Sequence, residues 1–201
     1  MIITVASFKG GVGKSTTAVH LAAYLQERLG GTLLVDGDPN RSVSGWAKRG
    51  ELPFPVVDER MAAKAARQHE HLIFDTKARP DEEDLKALAD GCDLLIIPTT
   101  PDALAMDALV QTVNTLRQIG TQRFKILLTI VPPKPNHDAE DARQMLTEAG
   151  LPLFTGEIPR LIAFQRAALN GCLVNAVNDP RAEQAWQEYV AIGKELLRNA
   201  K

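Results

Sequence analysis

The 201-residue chain is poor in several things, and each shortage argues against a class of protein. It has two cysteines, Cys92 and Cys172, far apart and in no Cys-x-x-Cys motif. That pattern argues against a disulfide framework, a metal cluster or a thiol redox couple, and buried reduced thiols are expected instead. No apolar run approaches the ~20 residues that would span a bilayer. The start, Met1-Ile2-Ile3-Thr4-Val5, lacks the basic n-region and small-residue cleavage site of an export signal, so a cytoplasmic protein is expected. There is no excess of one charge either: 23 Lys and Arg face 25 Asp and Glu, a formal net charge of -2. A wholesale polycation is thereby excluded, while a local basic face stays open. Internal repeats and low-complexity tracts are missing as well.

What is present fits one globular domain over residues 1–201. Apolar residues make up 45% and charged residues 24% of the chain, enough for a substantial core. Short Ile-, Val- and Leu-rich runs at Ile2–Ala6, Thr32–Val35, Leu72–Phe74, Leu94–Ile97 and Ile126–Val131 show no polar alternation, which is how strands covered on both faces read. Amphipathic helical patterns lie between them at Ser15–Leu29, Asp81–Ala89, Asp102–Ile119 and Asp138–Ala149. These begin at acidic or hydroxyl residues and stop near Gly30, Gly91, Gly120 and Gly150, as capping chemistry favours. The alternation predicts an α/β fold with a mostly parallel central sheet flanked by helices. Ligands of such sheets bind beyond the carboxyl ends of the strands, and the main motifs fall there.

Directly after the first strand comes Ser7-Phe8-Lys9-Gly10-Gly11-Val12-Gly13-Lys14-Ser15-Thr16, then a helix. Three glycines let the backbone wrap phosphate oxygens, with N–H groups of the loop and helix start pointing inward. Lys14 would neutralise the β- and γ-phosphates, and the Ser15 hydroxyl would ligate Mg²⁺. The strict G-x-x-x-x-G-K-[ST] pattern needs Gly at position 8, where this chain has Phe8. The second strand ends in Asp36-Gly37-Asp38-Pro39-Asn40 and the third in Asp75-Thr76. Carboxylates at the mouth of a parallel sheet can hold a Mg²⁺ shell and orient a water, although Asp, Gly, Pro and Asn also simply favour turns.

The loop Lys9-Gly10-Gly11-Val12-Gly13-Lys14-Ser15-Thr16 resembles the deviant Walker A box of the ParA/MinD family of partition and positioning ATPases. The resemblance runs from Ile2 to about Gly171 and implies a P-loop NTPase fold, ATP and Mg²⁺ as cofactors, and slow hydrolysis to ADP and phosphate. Within it Lys9 takes the place of the signature lysine, which crosses a sandwich homodimer to the partner's nucleotide. Asp36-Gly37-Asp38-Pro39-Asn40 is similar to the family's Asp-x-Asp-Pro-Gln: Asp38 matches the water-activating aspartate and Asp36 the residue supporting the metal. Asp75 matches the Walker B aspartate, followed here by Lys77-Ala78-Arg79-Pro80 where the family commonly has Pro-Pro. Leu94 to Pro101 resembles the strand and turn beneath the nucleotide. Glu157-Ile158-Pro159-Arg160 resembles the family's Ile-Pro-Arg segment, which implies that Pro159 lies against the adenine.

The reading that follows is a short ParA-type switch of ParF-like or McdA-like kind. It would dimerise on ATP, bind DNA non-specifically on the nucleoid, and position a plasmid, a chromosome or a protein compartment such as a carboxysome. A ParB-like or adaptor protein would stimulate hydrolysis. Arg160 and Arg166 are the candidate DNA contacts, with Arg181, Lys194 and Arg198 beyond them, but Glu183, Glu188 and Glu195 lie among these and a mixed solvated surface competes. A metabolic P-loop ligase is a second class. A cluster-carrying electron-transfer protein is a third, disfavoured by the cysteines. A MinD-like membrane-bound switch would use the apolar stripe Trp186, Tyr189, Val190, Leu196 and Leu197, which a packed terminal helix explains equally well. With no room before Ile2 for a helix-turn-helix, operator-specific repression is not expected.

Overall fold

A computed structural model describes residues 1–199. Six strands, β1 (Ile2–Ser7), β2 (Thr32–Gly37), β3 (Val56–Asp58), β4 (His71–Ala78), β5 (Leu94–Thr99) and β6 (Phe124–Leu128), form one sheet in the order β3-β2-β4-β1-β5-β6. Every neighbouring pair is parallel, so each connection has to cross a face of the sheet. The chain builds outward from β1 through β2, then returns from β4 across β1 to β5. This puts the reversal of strand order beside the end of β1, where α/β sheets open a crevice.

Side chains explain both the strands and their lack of polar alternation. Successive residues point to opposite faces. Ile3, Val5, Leu34, Ile96 and Leu127 enter one apolar cluster, with α1 (Lys14–Arg28), α2 (Ser42–Arg49), α7 (Ile162–Asn170) and α8 (Ala182–Asn199). Ala6, Leu95, Ile97, Ile126 and Leu128 enter a second, with α4 (Glu82–Asp90), α5 (Ala103–Ile119) and α6 (Asp138–Glu148). A smaller cluster of Leu33, Val35 and Leu72 packs beside the short α3 (Ala62–Ala65). Both faces are buried, so both must be apolar.

The helix ends follow their side chains. Asp81 and Asp102 cap α4 and α5 by accepting the Asp84 and Ala105 backbone N–H at 2.8 and 3.1 Å. The terminal stripe belongs to the core: Trp186, Tyr189 and Leu196 on α8 are buried against α1 and its neighbours. Among the described residues no helix is long and apolar enough to cross a membrane. The cysteines stay unpaired, Cys92 buried and Cys172 half-buried.

Several elements differ from the sequence expectation. The strand expected to stop at Phe74 runs on to Ala78, so Asp75 lies inside β4 and not past its end. The run Ile126–Val131 is a strand only to Leu128, because Ile130 takes a left-handed φ of 52°. The strand β3 and the helices α2 and α3 were not expected. Their apolar content is small: Val43 and Trp46 are the only residues α2 buries, and α3 buries none.

Candidate nucleotide site

The loop between β1 and α1 is fixed by glycine geometry and by one threonine. Gly11 and Gly13 have φ of 77° and 83°, a region closed to most residues with a Cβ. Gly13 is the N-cap of α1 and supplies no side-chain cap, and the first turn contains no acidic residue. The first N–H groups of the helix are therefore left for an anion, reinforced by the helix dipole. Behind the loop the Thr129 hydroxyl donates to the Val12 carbonyl at 2.7 Å, holding the loop to the end of β6. Lys14 is only 7% exposed.

Three carboxylates from two adjacent strands converge beside Lys14. Asp75, within the second half of β4, is fully buried and accepts from the Ser15 hydroxyl at 2.6 Å through Oδ2. Its Oδ1 is buried without a hydrogen-bond partner. Burial pushes the Asp75 carboxyl up to about 7 against the lowering pull of Ser15 and Lys14, and the nearby charges of Asp36 and Asp38 add to the rise. The three carboxylates outnumber the one cation beside them, Lys14. An Mg²⁺ ion would take the orphaned oxygen and the Ser15 hydroxyl, so the residues fit one. Among the described residues no cluster of three or more His, Cys, Asp or Glu side chains could cage a metal alone. That suits an ion that relies largely on phosphate and water oxygens.

Asp36 and Asp38 differ in what they hold. Asp36 is fully buried and accepts the Ser44 N–H at 2.8 Å on Oδ2 and the Asp38 N–H at 3.3 Å on Oδ1. It shapes the loop between β2 and α2. Asp38 accepts the Asn40 N–H at 2.8 Å on Oδ1 and faces a cavity of about 630 Å³ with Gly10, Gly11, Gly13, Lys14, Ser15 and Thr16. Arg41, with a left-handed φ of 52°, pins the same loop by donating to the Asp36 carbonyl at 2.8 Å and pairing with Asp58 at 2.7 Å.

A second cavity of about 310 Å³ continues from the first past Gly13, Thr16, Ile130 and Ala168. It is the more apolar of the two, walled by Ile158, Pro159, Leu161 and Phe164, with the aromatic ring of Tyr189 at its base. Pro159 is set there by a backbone bridge to Val131. On the other side of the loop, a cleft of about 430 Å³ holds Lys9, Val12, Asp102 and Arg160. There Lys9 Nζ meets Asp102 Oδ1 of its own chain at 2.7 Å.

The structure brings together Gly10, Gly11, Gly13, Lys14, Ser15, Thr16, Asp38 and Pro159 around one continuous crevice. Val12 lines the Lys9 cleft instead, and Asp75 does not open into the crevice: it is buried behind Ser15, at a separate cleft of about 420 Å³ with Gly37, Glu59 and Lys77, while Asp36 is buried beside Asp38. The structure does not make one bare basic patch of the two arginines. Arg160 is exposed at the Lys9 cleft, whereas Arg166 pairs with Asp179 at 2.8 Å and donates to the Asn178 carbonyl at 3.3 Å. Lys77 pairs with Asp84. Sequence reasoning missed Thr129, Ile130, Arg41 and Arg49 as lining residues. The rule that ligands sit past strand ends would have marked Thr129 and Ile130 had β6 been stopped at Leu128.

A glycine-wrapped phosphate loop at the reversal of a parallel sheet, opening into an apolar pocket, defines a P-loop nucleotide-binding protein. Residues 3–174 match the model of the CobQ/CobB/MinD/ParA nucleotide-binding domain, and the chain belongs to that family. It is 34% identical over 207 aligned positions to the maintenance of carboxysome distribution protein A of Gloeobacter kilaueensis, covering 98% of this chain and 94% of the relative. Among solved structures it resembles a plasmid partition protein of Borrelia burgdorferi B31 bound to AMPPNP, at 20% identity and a TM-score of 0.77 over 98% of both chains. It also resembles the MinD cell division protein of Aquifex aeolicus, at 14% identity and 0.75 over 98% of this chain and 97% of that one. At these identities the two structures speak for the fold alone.

Proposed function

We propose that the chain is an ATP-driven positioning switch that dimerises on ATP, binds DNA without sequence preference and hydrolyses ATP slowly until a partner protein accelerates it. The observation that carries the reading is the crevice in which Lys14, Ser15 and Asp38 meet beside an apolar base pocket, with Asp75 bonded to Ser15 from behind. Lys14 and the N–H groups of the loop hold the phosphates, and Pro159 packs on the adenine. Ser15 and Asp75, with Asp36 behind them, would hold Mg²⁺, which would supply positive charge to the phosphates. Asp38 orients the attacking water and accepts its proton. Lys9 reaches the partner's nucleotide once it leaves Asp102. A stimulating partner has to favour the transition state over bound ATP, since equal affinity for both would change nothing.

The carboxysome-distribution relative supports a protein compartment as the first cargo to test, with a plasmid next. The buried stripe of α8 favours the DNA-associated branch over a membrane-anchored one, because an apolar face already packed on the core is not available to lipid. One subunit offers few free cations, and pairing two subunits doubles the basic surface, so DNA binding should require ATP and fall steeply with salt. Arg160 carries more of it than Arg166, whose charge Asp179 already opposes.

The test is binding of the Mg-ATP form to unrelated duplexes at low and high salt, with Arg160→Glu as the control. ATP-dependent binding that Arg160→Glu weakens uniformly supports the reading. An ATP dimer that ignores DNA at low salt removes the DNA branch, and capture by anionic vesicles moves the chain to the membrane branch.

A further inference from the structure

The α2 wall of the phosphate cavity carries a cation with no assigned role. Arg49, in the last turn of α2, donates from Nε to the Ala168 carbonyl at 2.8 Å. Its Nη1 lies over Gly45, where an added Cβ would come within 3.3 Å of it. Among the described residues no carboxylate pairs with this guanidinium, and neither Nη group has a hydrogen-bond partner. Arg41 on the same wall is different, since Asp58 and the Asp36 carbonyl occupy it. Arg49 is therefore an unspent charge on the cavity that contains Lys14, Ser15 and Thr16. Ala168, to which it is anchored, borders both the phosphate cavity and the apolar base pocket. A nucleotide with its β- and γ-phosphates at Lys14 and its base at Pro159 has to pass its α-phosphate through that junction.

We infer that Arg49 binds the α-phosphate of the nucleotide from the α2 wall of the cavity. The inference rests on the ATP reading of this site and adds a contact to it. Guanidinium presents its donors in a planar fork suited to phosphate oxygens, and fixing Nε to a backbone carbonyl orders that fork before the ligand arrives. Gly45 leaves the room it needs. Because ATP and ADP both carry an α-phosphate, Arg49 stabilises both alike and sets the affinity for either, while Lys14 meets the phosphates farther out.

The experiment measures equilibrium binding of ATP, ADP and the two α-thio diastereomers of ATP to the full chain and to Arg49→Gln and Arg49→Lys. Glutamine can keep a hydrogen bond to Ala168 without the charge, and thermal melts of the free proteins check the fold. Arg49→Gln should lose about 10- to 100-fold in affinity for ATP and for ADP equally, the range of one charged hydrogen bond. Arg49→Lys should lose less. Wild type should prefer ATP to one α-thio isomer, and Arg49→Gln should bind the two alike. Wild-type affinity in Arg49→Gln, no thio preference in wild type, or an undiminished preference in the variant would each overturn the inference while leaving the nucleotide site in place. A wild-type protein that binds neither ATP nor ADP fails at the earlier step, the nucleotide reading itself, and takes this inference with it.

Discussion

Lys9 Nζ and Asp102 Oδ1 of one chain stand 2.7 Å apart at the edge of the phosphate loop, and the same carboxylate caps α5 through the Ala105 N–H. If Lys9 serves a partner's nucleotide, this pair has to open first. Side chains so exposed, 30% and 50%, are worth at most about 1 kcal/mol together, or roughly five-fold in an equilibrium. Asp102→Asn removes the charge and keeps a capping oxygen. It should tighten the ATP-dependent dimer several-fold, with two pairs released per dimer, and leave thermal stability nearly unchanged. Lys9→Ala should bind ATP in one chain and fail to dimerise. Sedimentation with a slowly hydrolysed ATP analogue reads both, and equal dimer affinity in Asp102→Asn would show that the pair opposes nothing.

Lys14→Ala should fold and lose ATP. Lys14 is buried with Asp75 close by, so its loss leaves phosphate charge without its main counter-charge. Breaking one partner of a buried pair costs about 3–5 kcal/mol, so affinity should fall at least ~100-fold. Calorimetric titration checks it, and an unchanged dissociation constant in a folded variant would remove Lys14 from the site.

Asp38→Ala should bind ATP and turn it over more slowly by about 10²–10⁴-fold, the usual weight of a general base. The dimer should then persist on ATP. Single-turnover assays with the stimulating partner would show whether the drop lies in the chemical step. Wild-type turnover would mean that another group orients the water.

His20 should withdraw stability in mild acid, while Asp75, whose carboxyl is raised to about 7 in the folded chain, adds stability over the same range by taking its proton before the unfolded chain does. The His20 Nε2 accepts the Val174 N–H at 3.1 Å, so Nδ1 carries the proton and donates to the Thr16 carbonyl at 2.7 Å. Full burial lowers its pKa from 6.5 to about 4. Above pH 6.5 the ring is neutral in both folded and unfolded chains and contributes no pH dependence. Between pH 6.5 and 4 only the unfolded chain takes this proton, so the His20 contribution drops by about 1.4 kcal/mol per pH unit and about 3 kcal/mol in all. Urea unfolding of wild type and His20→Gln across this range should show the stability of wild type relative to the variant falling by about 3 kcal/mol from pH 6.5 to 4, the Asp75 contribution being common to both. Parallel slopes would contradict the burial of a neutral ring.

The legible part of this protein was the part written in strong local chemistry. Gly10 to Thr16, the aspartates Asp36 and Asp75 that follow apolar runs in β2 and β4, and the apolar runs themselves are each short segments whose residues admit few backbone states. The capping aspartates Asp81 and Asp102 were legible for the same reason. Arg49 was not, because its meaning depends on a carbonyl 119 residues away in α7. Neither was α2, with Val43 and Trp46 its only buried residues and Gly45 in its middle. Ile130 was misread for a different reason. A β-branched residue at φ 52° runs against its own propensity, and the surrounding loop, not the residue, enforces it. Arg166 looked like a free cation until Asp179, thirteen residues on, was seen to claim it.

Gly50 and Gly171 press together so closely that a Cβ on Gly171 would stand 2.2 Å from the Gly50 nitrogen. With Trp46 donating to the Cys172 carbonyl at 3.0 Å as well, the ends of α2 and α7 behave as one riveted bracket. A shift of the base pocket wall would then carry α2 with it. If Asp38 orients the water as proposed, only the segment Asp38-Pro39-Asn40-Arg41, ending in a left-handed Arg41, would separate that movement from the aspartate.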